Sequence, residues 1–184
     1  YYTRQMDLLK VDVHLNTEVT AEMVMAEKPD AVVIATGSVP LIPNIPGVDG
    51  TNVTEVREVL KGDVVVGENV VIAAGEEHTE ALTTADFLAE QGKRVEVLSL
   101  DYHAGSRIDP CTAQTIYQRL LAKGVVLAPN TVVREISGNT IVAYNFFTHE
   151  EHRIEGVDTV VIAYWGREDN GLYYELKDRV REIY

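Results

Sequence analysis

The fold is decided by one stretch near the middle of the chain, Asn69-Val70-Val71-Ile72-Ala73-Ala74-Gly75. This continuous apolar run has the length of a strand and ends at a glycine, a pattern typical of a strand buried on both faces of a parallel sheet. A helical pattern follows over 77–90, with apolar residues on one face, and Gly92 is predicted to end the helix. Residues 94–98 are predicted to form the next strand. Together they predict a strand–helix–strand unit, the minimal parallel crossover.

The residues after this unit extend it into a domain. Asp109 and Pro110 predict the start of a second helix, Gly124 predicts its end, and 125–127 is a third parallel strand. Three short strands at 132–136, 140–147 and 152–154 then predict a meander, and 159–163 is a further buried strand. The predicted fold class is α/β, a Rossmann-like nucleotide-binding domain with a parallel sheet, helices and a β-meander.

The pattern before this unit predicts part of a second domain. A short helix over 2–10, a half-buried strand at 11–15 and a turn or helix at 20–25 lead to a strand at 31–35 that is expected to be buried on both faces. Three prolines make 39–49 a crossing loop, and 53–60 is predicted to be helical. After the buried strand at 159–163, a short helix is expected at 172–177.

The composition excludes several classes of protein. The 184 residues carry a net charge of −13, which argues against a nucleic-acid binder or a peripheral membrane protein, because both need a basic face. One cysteine excludes a disulfide framework, and the longest apolar runs fall far below the roughly 20 residues of a membrane span. No basic-then-apolar signal opens the chain, so we expect a reducing cytoplasm.

Two segments carry a resemblance to a known family. The strand Val32-Val33-Ile34-Ala35-Thr36-Gly37, together with the elements after it, resembles the flavoproteins built from two dinucleotide-binding domains. The Pro-rich segment 39–50, followed by Glu58-Val59-Leu60, resembles the C-terminal region of the multidomain NADH:flavin oxidoreductases. These belong to the old yellow enzyme superfamily and are similar to 2,4-dienoyl-CoA reductase and trimethylamine dehydrogenase.

The resemblance implies that this chain is a segment of a longer enzyme. A barrel with FMN and an iron–sulfur cluster would precede it, a Gly-rich flavin loop would lie upstream of Tyr1, and a Gly-Asp motif would follow Tyr184. The implied domains are an incomplete FAD/ADP-type part at 1–62, an NAD(P)-binding-like Rossmann domain at 63–163 and a return segment at 164–184. FAD or ADP would lie near Ala35, Thr36 and Gly37 of the first domain.

The second domain departs from the dinucleotide fingerprint, which needs several glycines, a free helix N-terminus and an acidic residue after the second strand. Only Gly75 remains as a glycine, and Glu76 and Glu77 stand where pyrophosphate oxygens would lie. Each such charge pair at about 4 Å costs roughly 1 to 4 kcal/mol. Ser99 replaces the acidic residue, although Asp101, two residues later, can still reach a ribose. These features count against NAD(P)H binding.

Further residues bear on the same question. Tyr164 and Trp165 follow the last buried strand, where they would fill the groove that nicotinamide uses. Glu76, Glu77 and Glu80 also have a purely structural interpretation, in which they stabilise the dipole of the following helix. His149-Glu150-Glu151-His152 is interpreted as a solvated turn, because side chains between two strands diverge, and we assign no metal ligand and no catalytic residue. Cys111 is interpreted as a buried or inert thiol.

Three functions stay open at this point. The first is the nucleotide-fold portion of a trimethylamine dehydrogenase-type flavoenzyme that has lost NAD(P)H binding. The second is a working NAD(P)H domain of an enoate or dienoyl-CoA reductase, with Gly75 and Asp101 at the nucleotide. The third is a non-catalytic module that docks an electron-transfer flavoprotein. The expected partners are the missing barrel and first-domain parts of the same chain, in a parent that forms a homo-oligomer.

Overall fold

The structure, a computed structural model, describes residues 1–75 and 77–184. In chain order its elements are α1 (Tyr2–Leu9), α2 (Ala21–Glu27), β1 (Ser38–Pro40), β2 (Val53–Glu55), α3 (Val56–Lys61), β3 (Asn69–Ala74), α4 (Glu80–Glu90), β4 (Arg94–Ser99), α5 (Pro110–Ala122), β5 (Val126–Ala128), β6 (Thr131–Ser137), β7 (Thr140–Asn145), β8 (Glu151–Glu155), β9 (Thr159–Ala163), β10 (Gly166–Glu168) and α6 (Gly171–Leu176). None of these helices is long and apolar enough to cross a membrane.

The described chain divides into two compact units. Unit 1 consists of Tyr1–Val39 and Glu168–Tyr184, and unit 2 consists of Pro40–Arg167. These bounds differ from the predicted domains 1–62, 63–163 and 164–184. Residues 40–62 group with unit 2 because β2 pairs in parallel with β9 and because Val56 and Val59 of α3 are buried in the core of that unit.

Unit 2 is built on a five-stranded parallel sheet with the strand order β2-β9-β3-β4-β5. The central strand β3 is buried on both faces, as its apolar run predicts. Because side chains alternate along a strand, Val70, Ile72 and Ala74 pack on the α4 side, whereas Val71 and Ala73 pack on the other. The predicted α/β fold with a parallel sheet is confirmed.

Both crossover helices form where the sequence predicts them. The Asp109 carboxylate accepts the N–H of Thr112 at 3.0 Å, and Pro110 occupies the first turn of α5. Helix α4 begins at Glu80, with Thr79 as its N-cap, rather than at Glu77. The predicted helix over 53–60 is wrong at its start, where 53–55 is strand β2 and the helix α3 begins only at Val56.

The meander covers the second face of the sheet. Strands β6, β7 and β8 form an antiparallel sheet in sequence order, as predicted. Ile141 and Ala143 of β7 are fully buried in the core that also holds Val71 and Ala73 of β3. This layer closes the parallel sheet on the side that α4 and α5 leave open.

Unit 1 corrects two predicted strands. Residues 11–15 form no strand, and Val11, Val13 and Leu15 are exposed. Residues 31–35 are not a buried strand either, because Val32 makes only an isolated parallel bridge to Ile183, and Val33 is 72% exposed. A continuous apolar run is buried only where neighbours flank it on both edges and both faces, and the described residues supply one neighbouring segment.

Candidate functional site

The candidate site of unit 2 lies at the carboxyl edge of the parallel sheet, where nucleotide-binding folds place their ligands. Three segments leave the sheet there. Gly75 follows β3, Ser99 is the last residue of β4, and Tyr164 follows β9. The N–H of Gly75 donates to the carbonyl of Ala163 at 2.8 Å, which holds the ends of β3 and β9 side by side.

Tyr164 covers Gly75. A β-carbon built on Gly75 would lie 2.6 Å from Cζ of the Tyr164 ring, so the ring occupies the space beside this glycine. Burial raises the pKa of the Tyr164 hydroxyl. The cleft that remains, lined in part by Gly75, Leu98 and Tyr164, measures about 120 Å³. Sites for small molecules and cofactors typically measure about 300 to 1,000 Å³, so this cleft is smaller than a typical cofactor site.

Glu77 lies in the position of the predicted phosphate loop, and its side chain contacts the end of β4 and the loop after it. Its carboxylate accepts hydrogen bonds from the Ser99 hydroxyl at 3.2 Å, the Gly105 N–H at 3.2 Å and the Ser106 N–H at 3.5 Å. The predicted role of Glu77 at the helix dipole is therefore replaced by contacts with the loop after β4. Glu80 does lie in the first turn of α4, and Glu76 falls outside the described residues.

The side chain of Glu77 is 8% exposed, and this burial has the largest effect on the charge state of its carboxyl group. Burial is the largest effect and raises the pKa of this carboxyl, and the neighbouring Asp101 charge raises it further. The hydrogen bonds from Ser106, Ser99 and Gly105 act in the opposite direction. A second negative group placed beside the Glu77 carboxylate would therefore be energetically unfavourable.

Asp101, the predicted ribose-binding residue, is engaged within the protein. The Ser106 hydroxyl donates to its carboxylate, and the Asp101 N–H donates to the Ser99 hydroxyl at 3.2 Å. The Asp101 carbonyl accepts the N–H of Asn130 at 3.0 Å. Sequence reasoning missed the partners Gly105 and Ser106, although a Gly-Ser pair a few residues after a strand is a recognisable turn signal.

Trp165 lies beside this edge in an aromatic and cationic cluster. Its ring meets the His78 ring edge-on at 5.3 Å, and the Arg107 guanidinium lies 5.3 Å from the ring centroid. Trp165 is 41% exposed. The sequence predicts that Trp165 and Tyr164 together fill the nicotinamide groove, but of the two only Tyr164 lines the cleft next to Gly75.

In unit 1 the predicted flavin-proximal residues form a separate site. The Thr36 hydroxyl donates to the carbonyl of Asp169, and the Asp169 N–H donates to the carbonyl of Gly37 at 3.0 Å. Gly37 has a φ of +81°, and a β-carbon there would meet no atom within 4 Å. Thr36, Gly37 and Tyr173 help to line a shallow groove of about 180 Å³, and Ala35 is exposed at its side.

These residues fit one edge of a flavin or ADP site. The open face of Gly37 allows a nucleotide to approach the backbone closely. Within the described residues of unit 1, however, no glycine-rich turn leads into a helix, so nothing there grips a pyrophosphate. The structure thus places Ala35, Thr36 and Gly37 side by side in unit 1, whereas Gly75 and Asp101 of unit 2 have different contacts, Gly75 with Tyr164 and Asp101 with Ser99 and Ser106.

Comparison with known proteins gives consistent matches. Residues 3–180 match the family described as pyridine nucleotide-disulphide oxidoreductase. The chain is 33% identical to the N,N-dimethylglycine/sarcosine dehydrogenase of Chromohalobacter salexigens, over 98% of this chain and 27% of that protein. It is 32% identical to a probable N-methylproline demethylase of Rhizobium meliloti, over 94% of this chain and 26% of that protein.

A solved structure agrees with these relatives. A 2-naphthoyl-CoA reductase, solved in complex with 2-naphthoyl-CoA, superposes with a TM-score of 0.90 at 32% identity, over 100% of this chain and 27% of that one. The chain therefore spans about a quarter of the length of each of these three proteins. The resemblance stated from the sequence is confirmed, and the chain belongs to the pyridine nucleotide-disulphide oxidoreductase family, as an FAD/NAD-binding domain of the type found in flavin-dependent oxidoreductases.

Proposed function

We propose that this chain is the nucleotide-fold portion of a larger flavin-dependent oxidoreductase, and that unit 2 no longer binds NAD(P)H. The observation that carries the proposal is the position of Tyr164 over Gly75. A dinucleotide pyrophosphate needs the backbone of such a glycine to be open, because close approach is the reason for the glycine. Here a partly buried aromatic ring takes that place.

Electrostatics support the same conclusion. A pyrophosphate placed at the ends of β3 and β4 would meet the carboxylates of Glu77 and Asp101. Among the described residues, no basic side chain forms an ion pair with either carboxylate. A second negative group would therefore face repulsion in a largely desolvated place, where Coulomb energies are larger than in water.

The relatives suggest the chemistry of the parent enzyme. Two of them are named for N-methylated amino acids, which supports oxidation of an N-methyl amine by the parent enzyme. In this proposal an FMN and an iron–sulfur cluster bound outside this segment would supply the redox chemistry of the parent enzyme. Unit 1 contributes Ala35, Thr36 and Gly37 to an FAD or ADP site. The parent is expected to be a cytoplasmic homo-oligomer.

Calorimetry tests the loss of the NAD(P)H site. NADH and NADPH are titrated into the intact polypeptide that carries these residues, and we expect no saturable heat. In a parallel titration of the 184-residue chain, where Trp165 is the sole tryptophan and lies beside the candidate site, NADH should quench its emission no more than absorption of the exciting and emitted light explains. Micromolar binding that Gly75→Trp abolishes would overturn the proposal and favour a working NAD(P)H domain.

A second candidate function is the docking of an electron-transfer flavoprotein. It is favoured by three exposed aromatic residues, Tyr102, Phe146 and Phe147. The rings of Tyr102 and Phe147 stack with centroids 6.0 Å apart, and Phe146 meets Phe147 edge-on at 5.5 Å. Clustered exposed aromatic side chains mark interaction sites. Capture of such a flavoprotein by the intact protein, lost in Tyr102→Ala, would support this function, and no capture by the wild type would contradict it.

A further inference from the structure

We propose that unit 2 has a ligand site at the amino edge of its parallel sheet, and that this site binds a small organic cation such as an alkylammonium ion. The site is a cleft, here named the amino-edge cleft, between the first residues of β3, β4 and β5 and the turn after β8. It lies at the opposite end of the strands from the candidate nucleotide site. The inference is therefore independent of NAD(P)H binding.

The amino-edge cleft has the size and the walls of a small-molecule site. Its volume is about 400 Å³, whereas the cleft beside Gly75 measures about 120 Å³. Small-molecule sites typically measure about 300 to 1,000 Å³ and are lined mainly by apolar side chains with a few polar groups. Val71, Val126 and Ile154 line this cleft and provide apolar contacts for the hydrocarbon part of a ligand.

One carboxylate interrupts the apolar lining. Glu96 of β4 is in register with Val71 of β3 on one side and with Val126 of β5 on the other. It is half-buried, and within the part of the chain that the structure describes its carboxylate accepts no hydrogen bond and forms no ion pair. Buried polar groups of proteins usually have a hydrogen-bond partner. The carboxylate of Glu96 is thus available to a donor that enters the cleft.

The charges around Glu96 favour a positive ligand. Burial has the larger effect on its carboxyl and raises the pKa, and the exposed His152 of β8 lowers it. A cation brought into the cleft would offset the cost of a charged Glu96 in these surroundings. Arg94, which also lines the cleft, forms no ion pair with Glu96 among the described residues, and its Nε donates to Oδ1 of Asn69 at 2.6 Å.

The ligand class follows from these walls and this single charge. Metal ions need several ligating side chains, and the described residues contain no group of three or more His, Cys, Asp or Glu that could hold one. An ammonium group needs only one carboxylate, to which it donates a charge-assisted hydrogen bond. Its alkyl chain would contact Val126 and Ile154. The probe n-butylammonium has both parts, and 1-butanol has the same chain without the charge.

Methyl NMR of the intact polypeptide that carries these residues tests the site locally. The methyl signals of Val126 and Ile154 are followed at pH 8 while n-butylammonium chloride replaces sodium chloride at constant ionic strength. We expect both signals of the wild type to shift in a saturable way, and 1-butanol to bind at least about tenfold more weakly. Glu96→Gln should weaken n-butylammonium binding by a similar factor. Glu135→Gln, which changes an exposed glutamate of β6, should leave it unchanged.

Three results would overturn the inference. The first is the absence of a saturable shift in the wild type, the second is equal affinity for n-butylammonium and 1-butanol, and the third is equal affinity of the wild type and Glu96→Gln for n-butylammonium. If Glu96→Gln does not fold, the comparison of the two probes on the wild type decides by itself. NADH binding to the wild type would overturn the proposed function and leave this inference unaffected.

Discussion

The ring of Tyr164 occupies the space that a side chain at position 75 would need. Gly75 ends the central strand of the parallel sheet, and Tyr164 follows the neighbouring strand β9. The two residues are 89 positions apart in the chain but adjacent at one edge of the sheet. The half-buried Tyr164 ring therefore takes the space in front of the glycine that would approach a nucleotide.

The first prediction concerns this contact. Gly75→Ala forces the Tyr164 ring to move and should lower the free energy of unfolding by about 1 to 3 kcal/mol, the usual cost of overpacking. In a Tyr164→Ala background the same change should cost almost nothing, because the obstructing ring is gone. Urea unfolding measures both. The control is Gly171→Ala, since a β-carbon at Gly171 meets no atom within 4 Å. An equal cost of Gly75→Ala in the two backgrounds would contradict the contact.

The second prediction concerns the pH dependence of stability at Glu77. Burial raises the pKa of this carboxyl above the ordinary value of 4.5, so between that value and the raised one the folded state binds more protons than the unfolded state. Its contribution to stability is therefore present below pH 4.5 and is lost as the pH rises through the folded-state pKa.

Glu77→Gln removes this titration and keeps the shape of the side chain. The unfolding free energy of the wild type, relative to that of Glu77→Gln, should therefore decrease as the pH rises from about 4 to about 8. Urea unfolding at several pH values gives the difference. A difference that increases with pH would show that the hydrogen bonds to the carboxylate outweigh its burial.

The third prediction concerns the start of β3. One oxygen of Asp158 accepts the N–H groups of Asn69 at 2.8 Å and of Glu68 at 3.1 Å, which joins β3 to the segment before β9. Asp158→Ala leaves these donors without their partner and should cost about 1 to 3 kcal/mol of unfolding free energy. Asp63→Ala, an exposed aspartate in the preceding loop, is the matched control. Equal stability of the two variants would exclude this role for Asp158.

The fourth prediction concerns flavin. The 184-residue chain by itself should retain no stoichiometric flavin after purification, because Gly37 and Gly171 are the only glycines of unit 1 and neither belongs to a glycine-rich phosphate loop. The absorbance spectrum of the desalted protein, before and after incubation with excess FAD, is the measurement. A yellow protein with one flavin per chain would show that unit 1 binds flavin by another route.

The sequence by itself determined the architecture of unit 2. The apolar run of β3, the Asp109-Pro110 start of α5 and the alternation in the meander predict elements that the structure confirms within a few residues. Such patterns are local, because a continuous apolar run, helix-capping residues and apolar–polar alternation each involve residues that are neighbours in the chain. The loss of glycines after β3 is likewise readable in the sequence.

Only the tertiary structure decided what replaced those glycines. Glu77 has the sequence position of a residue at a helix N-terminus, but its partners Ser99 and Gly105 lie 22 and 28 residues away. The run at 31–35 has the composition of a buried strand, but strand burial depends on neighbours that the run does not contain. The partners of Glu77 and the exposure of residues 31–35 both depend on which distant segments pack beside them. That packing is determined by the tertiary structure of each unit and not by the local sequence.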